Sequence, residues 1–184
     1  WLLLFPVIAL IITASRSGML CILATALTYI WFSKRRVAYF LCLLVVSVLT
    51  WILLPQQYKE RYGSITSSEL DDSSQGRINA WKAGANMFAE KPVLGVGPGV
   101  FAAAYWNRQG VWLESHSLYI QLMAETGLVG IGVFTAFLIV MFRFLKKMLY
   151  NETVNGPRDE LKAFARANYA IIVGLLVAGV FGHI

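Results

Sequence analysis

Long apolar runs separated by short polar ones set the rhythm of the chain. Five stretches approach the roughly 20 residues that a helix needs to cross a hydrocarbon core: residues 1–13, 18–32, 37–54, 118–142 and 169–183. The first and last are short, and the chain starts and stops inside apolar sequence, so the expectation is one transmembrane domain, 1–184, cut from a larger bundle. Between the third and fourth runs lies a long polar insert, residues 55–116. Its first part, "SITSSELDDSSQG", reads as a solvated segment. In "GRINAWKAGANMFAEKP", Ile78, Trp81, Ala85 and Phe88 then recur at helical spacing, with Ser74 as the expected N-cap and Lys91-Pro92 as the stop. Such a helix could lie on a membrane surface with its aromatic face down. The predicted fold class is all-α: a polytopic transmembrane helix bundle of about five visible spans, with a long extracytoplasmic loop that contains an amphipathic helix.

Composition supports the membrane reading and charge gives it a direction. Apolar residues make up 58% of the 184 and charged ones 14%, and the mean hydropathy is +0.61. A net charge of +6 would suit nucleic acid in a soluble protein. Here the cations flank apolar runs and report orientation instead, so nucleic acid is not an expected partner. Lys34, Arg35 and Arg36 fill one short connection, and Arg143, Lys146, Lys147, Arg158, Lys162 and Arg166 fill another. The positive-inside rule makes both connections cytoplasmic. The insert, where six cations face six acids, then lies outside together with "ASRSG", residues 14–18. Arg16, Arg77 and His116 share that outer face. Cys21 and Cys42 sit in apolar runs without metal-ligand spacing and read as small hydrophobes.

Each of the outer polar residues has a bland reading beside a functional one. Arg16 can snorkel to headgroups. Its small neighbours and its planar fork equally suit an anion. Arg77 is either a solvated residue or, in the first turn of its helix, part of an anion site. "GVGPGVF", residues 95–101, reads as a turn rather than a phosphate cradle, because no strand precedes it and no helix clearly follows. His116 is a satisfied interfacial histidine, a proton-transfer group or a metal ligand, and the insert holds no second histidine and no cysteine to complete a metal site. Its titration near neutrality suits a general base. Glu125 is nine residues further on, about 180° round a helix from His116. That spacing points it toward another span or the headgroup layer rather than toward the histidine.

The blocks "TASRSG", "GRINAW…KPVLGVGPGVF" and "ESHSLYIQLMAETGLVG" together resemble the O-antigen ligase and polymerase superfamily of bacterial membrane glycosyltransferases, in order and in sidedness, over about residues 13–142. The resemblance implies a multi-pass protein of the cytoplasmic (inner) membrane whose active site faces outward. It implies a donor glycan on undecaprenyl pyrophosphate, an acceptor that is a glycan, lipid A-core or protein, and no cofactor, metal or nucleotide sugar. In that reading Arg16 and Arg77 hold the pyrophosphate and His116 activates the acceptor hydroxyl. A transporter or flippase of an anionic or lipid-linked substrate is the rival from another class. Such a protein should carry ionisable residues near the midplane of its spans, and the visible apolar runs contain almost none.

Overall fold

The structure, a computed structural model, describes residues 16–53, 56, 72–150 and 158–182. Among them run six helices: α1 Arg16–Trp31, α2 Arg36–Leu53, α3 Asp72–Glu90, α4 Phe101–Gln109, α5 Leu118–Tyr150 and α6 Arg158–Ala178. No strand occurs among the described residues. Helix α5 and the 159–178 portion of α6 are long and apolar enough to cross a membrane, whereas α1 and α2 are apolar but shorter. The expected span at 1–13 lies outside the described residues, and so does most of the serine-rich stretch.

The helix ends differ from the apolar runs for a common reason. Residues 169–183 were expected to form the last span, yet α6 begins at Arg158 and stops at Ala178. Its polar first half is made of good helix formers, with Asp159 and Glu160 in the first turn where the helix dipole favours acids. Similarly, α5 continues past 142 through Arg143, Lys146 and Lys147 to Tyr150. Apolar content marks what lipid can cover. Backbone propensity decides where the helix stops.

Helices α1, α5 and α6 form the bundle, with α6 in the middle. Gly174 of α6 meets α1 so closely that a Cβ there would overlap the Thr25 hydroxyl and crowd the Cys21 carbonyl, the close approach that small residues permit between membrane helices. Tyr169 ties the same three helices further along, its ring 5.2 Å from Phe32 and 4.8 Å from Phe142. Hydroxyls in the apolar helices are satisfied within their own turns: Thr28 donates to the Ala24 carbonyl at 2.7 Å, and Ser47 and Thr50 donate four residues back at 2.8 Å. Helix α2 touches only the edge of this group. Val37, Phe40, Leu41, Leu44 and Val48 are all at least half exposed, an apolar surface that fits lipid or neighbouring helices rather than water.

Helix α5 is broken near its start. At Gly127, φ is 61° and ψ is −156°, a conformation essentially restricted to glycine. The hydrogen bonds that Leu128 and Val129 would make to residues 124 and 125 of a continuous helix are missing, and the loop after α3 replaces them. Leu128 N donates to the Pro92 carbonyl at 2.8 Å and Val129 N to that of Val93 at 3.2 Å. In return, Val96 N donates to the Ala124 carbonyl at 2.9 Å and Gly97 N to that of Glu125 at 3.0 Å. Two broken turns exchange partners, so the backbone groups freed by the break are paired again. The approach is closest at Gly95, φ 68°, where a Cβ would overlap the Glu125 carbonyl.

Beyond the break, residues 128–150 extend about 34 Å at 1.5 Å per residue, enough to cross a bilayer core without the polar head. The apolar run itself ends at 142. The added length comes from the cationic turns at the far end.

Gly127→Ala is expected to destabilise the protein by about 1–3 kcal/mol from backbone conformation alone, with the overlap on the Val93 carbonyl adding to it. Gly132→Ala, exposed and with open space around its Cβ, should be neutral or stabilising by roughly 0.5–1 kcal/mol. Thermal unfolding in detergent compares the two. Equal midpoints would show that the break does not depend on glycine.

Candidate active site

The three residues singled out by sequence sit at one end of the bundle. His116 lies in the turn before α5 with φ 49°, a left-handed conformation that few residues other than glycine adopt. The turn is held from both flanks. Ser115, fully buried, donates its hydroxyl to the Ser117 carbonyl at 3.0 Å, and its own carbonyl accepts the Trp81 indole N–H at 3.0 Å. Leu118 N, one of the amides that the start of a helix leaves unpaired, donates to the Gly179 carbonyl just past the end of α6 at 2.8 Å. The Tyr119 hydroxyl adds a 2.6 Å bond to the Leu176 carbonyl. The His116 side chain is half-buried.

Arg77 reaches this end through Trp81. The two residues are one turn apart on the same face of α3, roughly 6 Å along its axis. Trp81 bonds Ser115 and packs 6.2 Å from the Phe181 ring, so the Arg77 face of α3 looks toward the His116 turn. Arg77 itself is half-buried. Arg16 is the first residue of α1, and only its backbone is described. The next residue, Ser17, has its hydroxyl 3.5 Å from where a Cβ on Gly182 would stand, beside the segment that receives Leu118. Arg16, Arg77 and His116 therefore come from three separate elements to one end. The basic segments, 34–36 and 143–147, lie at the other.

Helix α3 corrects two expectations. It begins at Asp72, not after Ser74, so Arg77 falls in the second turn. Helix-dipole attraction for an anion fades within the first turn and contributes little at Arg77. Against the protein, α3 packs Ala80, Ala83, Gly84 and Met87 inward, and Ala85 of the aromatic face is exposed. Small residues let α3 approach α5 closely, and a Cβ on Gly84 would strike the Ile120 side chain. Trp81 anchors α3 to the His116 turn. Its signal was the indole N–H, which a half-buried tryptophan must place on an acceptor. The end of α3 at Glu90, just before Lys91-Pro92, agrees with the sequence.

A helix does follow "GVGPGVF". Helix α4 starts at Phe101 and ends at Gly110, φ 67° and ψ 14°, whose N–H donates to the Trp106 carbonyl. The run of three alanines and the closing glycine were its signals. The amides at its start already hold an anion. Gly99 N donates to Glu125 Oε2 at 2.9 Å and Phe101 N to Glu125 Oε1 at 3.0 Å, with the Gln121 amide at 3.4 Å. Glu125 is 8% exposed, and a buried carboxylate is tolerable only with such donors. The loop is a turn, as the sequence suggested, and its N–H groups serve an internal carboxylate. Glu125 points toward this loop rather than toward another span or the headgroups.

A family model described as O-antigen ligase matches residues 1–135, a stretch that contains Arg16, Arg77, His116 and the break at Gly127. No curated protein matches the chain.

Glu125→Gln would set an amide N–H₂ against one of two backbone N–H donors. The expected cost is about 1–3 kcal/mol of stability, with faster hydrogen exchange at Gly99 and Phe101 and nearly unchanged turnover per folded molecule. Intact protection at both amides would show that the carboxylate does not hold α4.

Proposed function

The chain belongs to the O-antigen ligase family, and from that premise we propose that it transfers or polymerises undecaprenyl-pyrophosphate-linked glycan at the outer face of the bacterial cytoplasmic membrane. Its function is of the O-antigen ligase type, and the enzyme is glycosyltransferase-like. Residues 55–116 are the extracytoplasmic loop of a multi-pass domain. The observation that carries this reading is the meeting, at the end opposite the basic segments, of the His116 turn and the Arg77 face of α3 through the Trp81–Ser115 bond.

The chemistry follows from the groups proposed to act. Arg77, with Arg16, holds the pyrophosphate of the donor, since a guanidinium fork matches phosphate oxygens bidentately. His116 accepts the proton of the acceptor hydroxyl as its oxygen forms a bond to the anomeric carbon. The bond from that carbon to the phosphate oxygen breaks, and undecaprenyl pyrophosphate departs with the electron pair. Pyrophosphate is a good leaving group, so fixed positive charge serves the step better than a strong acid. Fixing both substrates in line supplies much of the remaining rate. No metal is required, and activity should persist in chelator.

Transfer from purified undecaprenyl-pyrophosphate glycan in detergent tests the roles. His116→Gln keeps size and hydrogen bonding but cannot take up the proton, so turnover should fall about 10²- to 10⁴-fold with donor binding retained. Replacing His183, the other of the two histidines, serves as the control and should change little. Near-normal turnover by His116→Gln removes the base assignment, and loss of native activity in chelator restores a metal.

Arg16→Ala and Arg77→Ala should each weaken donor binding by roughly 1.5–3 kcal/mol, or about 10- to 150-fold, with lysine rescuing only in part. Full activity in both alanine variants would return Arg16 to headgroup contact and Arg77 to solvent. For sidedness, a cysteine at Asn107, exposed on α4, should react with an impermeant reagent in intact spheroplasts, while one at Ser33 should not. The reverse pattern would turn the site inward and end the proposal.

A further inference from the structure

Helix α3 has a second polar face, opposite the one that carries Arg77 and Trp81. Asn79, Lys82 and Asn86 fall on it at 100° per residue. Facing them across a half-open cleft of about 310 Å³ are Tyr105, Arg108 and Gln109 of α4, over the small floor of Ala83. The cleft has firm walls. Tyr105 is 6% exposed and stacks on Phe101, whose own N–H is held by Glu125. Arg108 makes a two-pronged, solvent-exposed ion pair to Glu90, at 2.8 and 2.5 Å. That pairing holds the Glu90 carboxyl below the usual carboxylate range, so both partners stay ionised at neutral pH.

The lining suits one class of ligand. Asn79, Asn86 and Gln109 are amides that both donate and accept, the pairing that neighbouring sugar hydroxyls require. No large aliphatic side chain lines the cleft, so an apolar ligand has no place in it. Arg108 is offset by Glu90, and Lys82 leaves a single positive charge, too little for a nucleic-acid backbone. The volume stands at the lower end of small-molecule sites, about 300–1,000 Å³, which fits one or two sugar residues rather than a whole repeat. About one helix diameter, roughly 10 Å, separates this face from the Arg77 face, a distance that a short run of linked sugars can bridge.

We propose that the cleft between α3 and α4 is a carbohydrate subsite that grips a sugar residue of the transferred glycan or its acceptor, away from the reacting carbon. The proposal rests on the glycan-transfer reading above, and it predicts that remote binding is separable from chemistry.

The test uses the full-length protein in detergent and, as probe, the free oligosaccharide released by mild acid from the host's lipid-linked glycan, which lacks lipid and pyrophosphate. Saturation-transfer NMR should detect binding at millimolar probe. Asn86→Trp, at an exposed helix position, should fill the cleft and weaken that binding at least tenfold, and Asn86→Leu with Gln109→Ala serves if the tryptophan variant does not fold. In transfer assays Asn86→Trp should raise KM about tenfold with kcat within twofold. A raised donor KM assigns the sugar to the donor, and a raised acceptor KM to the acceptor. His116→Gln should show the converse pattern, with oligosaccharide binding kept and turnover lost. A wild-type protein that transfers glycan while its KM and oligosaccharide binding ignore Asn86→Trp overturns the subsite and leaves the function standing. A fall in kcat at constant KM overturns it too. Oligosaccharide binding that Asn86→Trp abolishes, in a protein that transfers nothing, overturns the function and leaves the subsite.

Discussion

The exchange of hydrogen bonds between residues 92–97 and 124–129 is the constraint on which the rest of this end of the molecule depends. A break inside a long apolar helix exposes backbone donors and acceptors, and in a dry setting each unpaired group costs several kcal/mol. The cost is avoided only if another segment offers the complementary groups at the same spacing. The chain after α3 does so because it is itself a turn of interrupted helix, with Pro92 and Val93 carbonyls to give and Val96 and Gly97 amides to pair. Gly95 and Gly127 stand where the two backbones nearly touch, and neither can carry a side chain there. Glycine is required at these positions by contact as much as by dihedral angle.

Several features follow from this one junction. With 92–97 fixed on α5, the next residues bring Gly99 and Phe101 to the Glu125 carboxylate, which starts α4. Helix α4 then packs back on α3 through Phe101 and Tyr105, in one core with Ala80, Ala83, Met87 and Ala124. The orientation of α3 is settled as a result, and so is the reach of Trp81 to Ser115. On the other side, the break leaves the nine residues from Leu118 to Thr126 as a short helix aimed separately from the span. Its first amide meets Gly179 and its preceding turn carries His116. His116 thus sits on a platform above the apolar stem, and the stem's exposed surface does not have to accommodate it.

The sequence made the all-helical architecture legible because long apolar runs write themselves as long helices. It also singled out Arg16, Arg77 and His116, whose elements meet at one end of the bundle. The break at Gly127 was hidden. "AETGLVG" continues an acceptable helical pattern, and the partner that makes the break favourable lies some thirty residues upstream. The role of Glu125 was hidden for the same reason, because a carboxylate's donors are backbone amides that leave no mark in composition. The protein-facing side of α3 went unmarked because large apolar residues outweigh small ones in any periodicity, whereas close packing against α5 selects alanine and glycine. The surplus apolar side chains, Ile78 and Phe88, are left half-buried.

The two faces of α3 differ in a way that bears on how such a protein separates recognition from reaction. The Arg77 face meets the His116 turn, where on the proposed reading a charged leaving group and a base are held at fixed positions. The opposite face carries amides, whose contacts are individually weak and broadly matched to hydroxyls. A rigid helix between them fixes the spacing, so that binding energy gathered from a remote sugar can orient the linkage about one helix diameter away. On the proposed reading, the reacting end can then be common to many glycans, because every lipid-linked donor presents the same pyrophosphate. Discrimination between sugars belongs on the amide face, where one side-chain change alters the fit without disturbing the charges. That division requires α3 to be held firmly from both sides, by Trp81 on Ser115 and by α4 on its far flank, which is the consequence of the junction at Gly95 and Gly127.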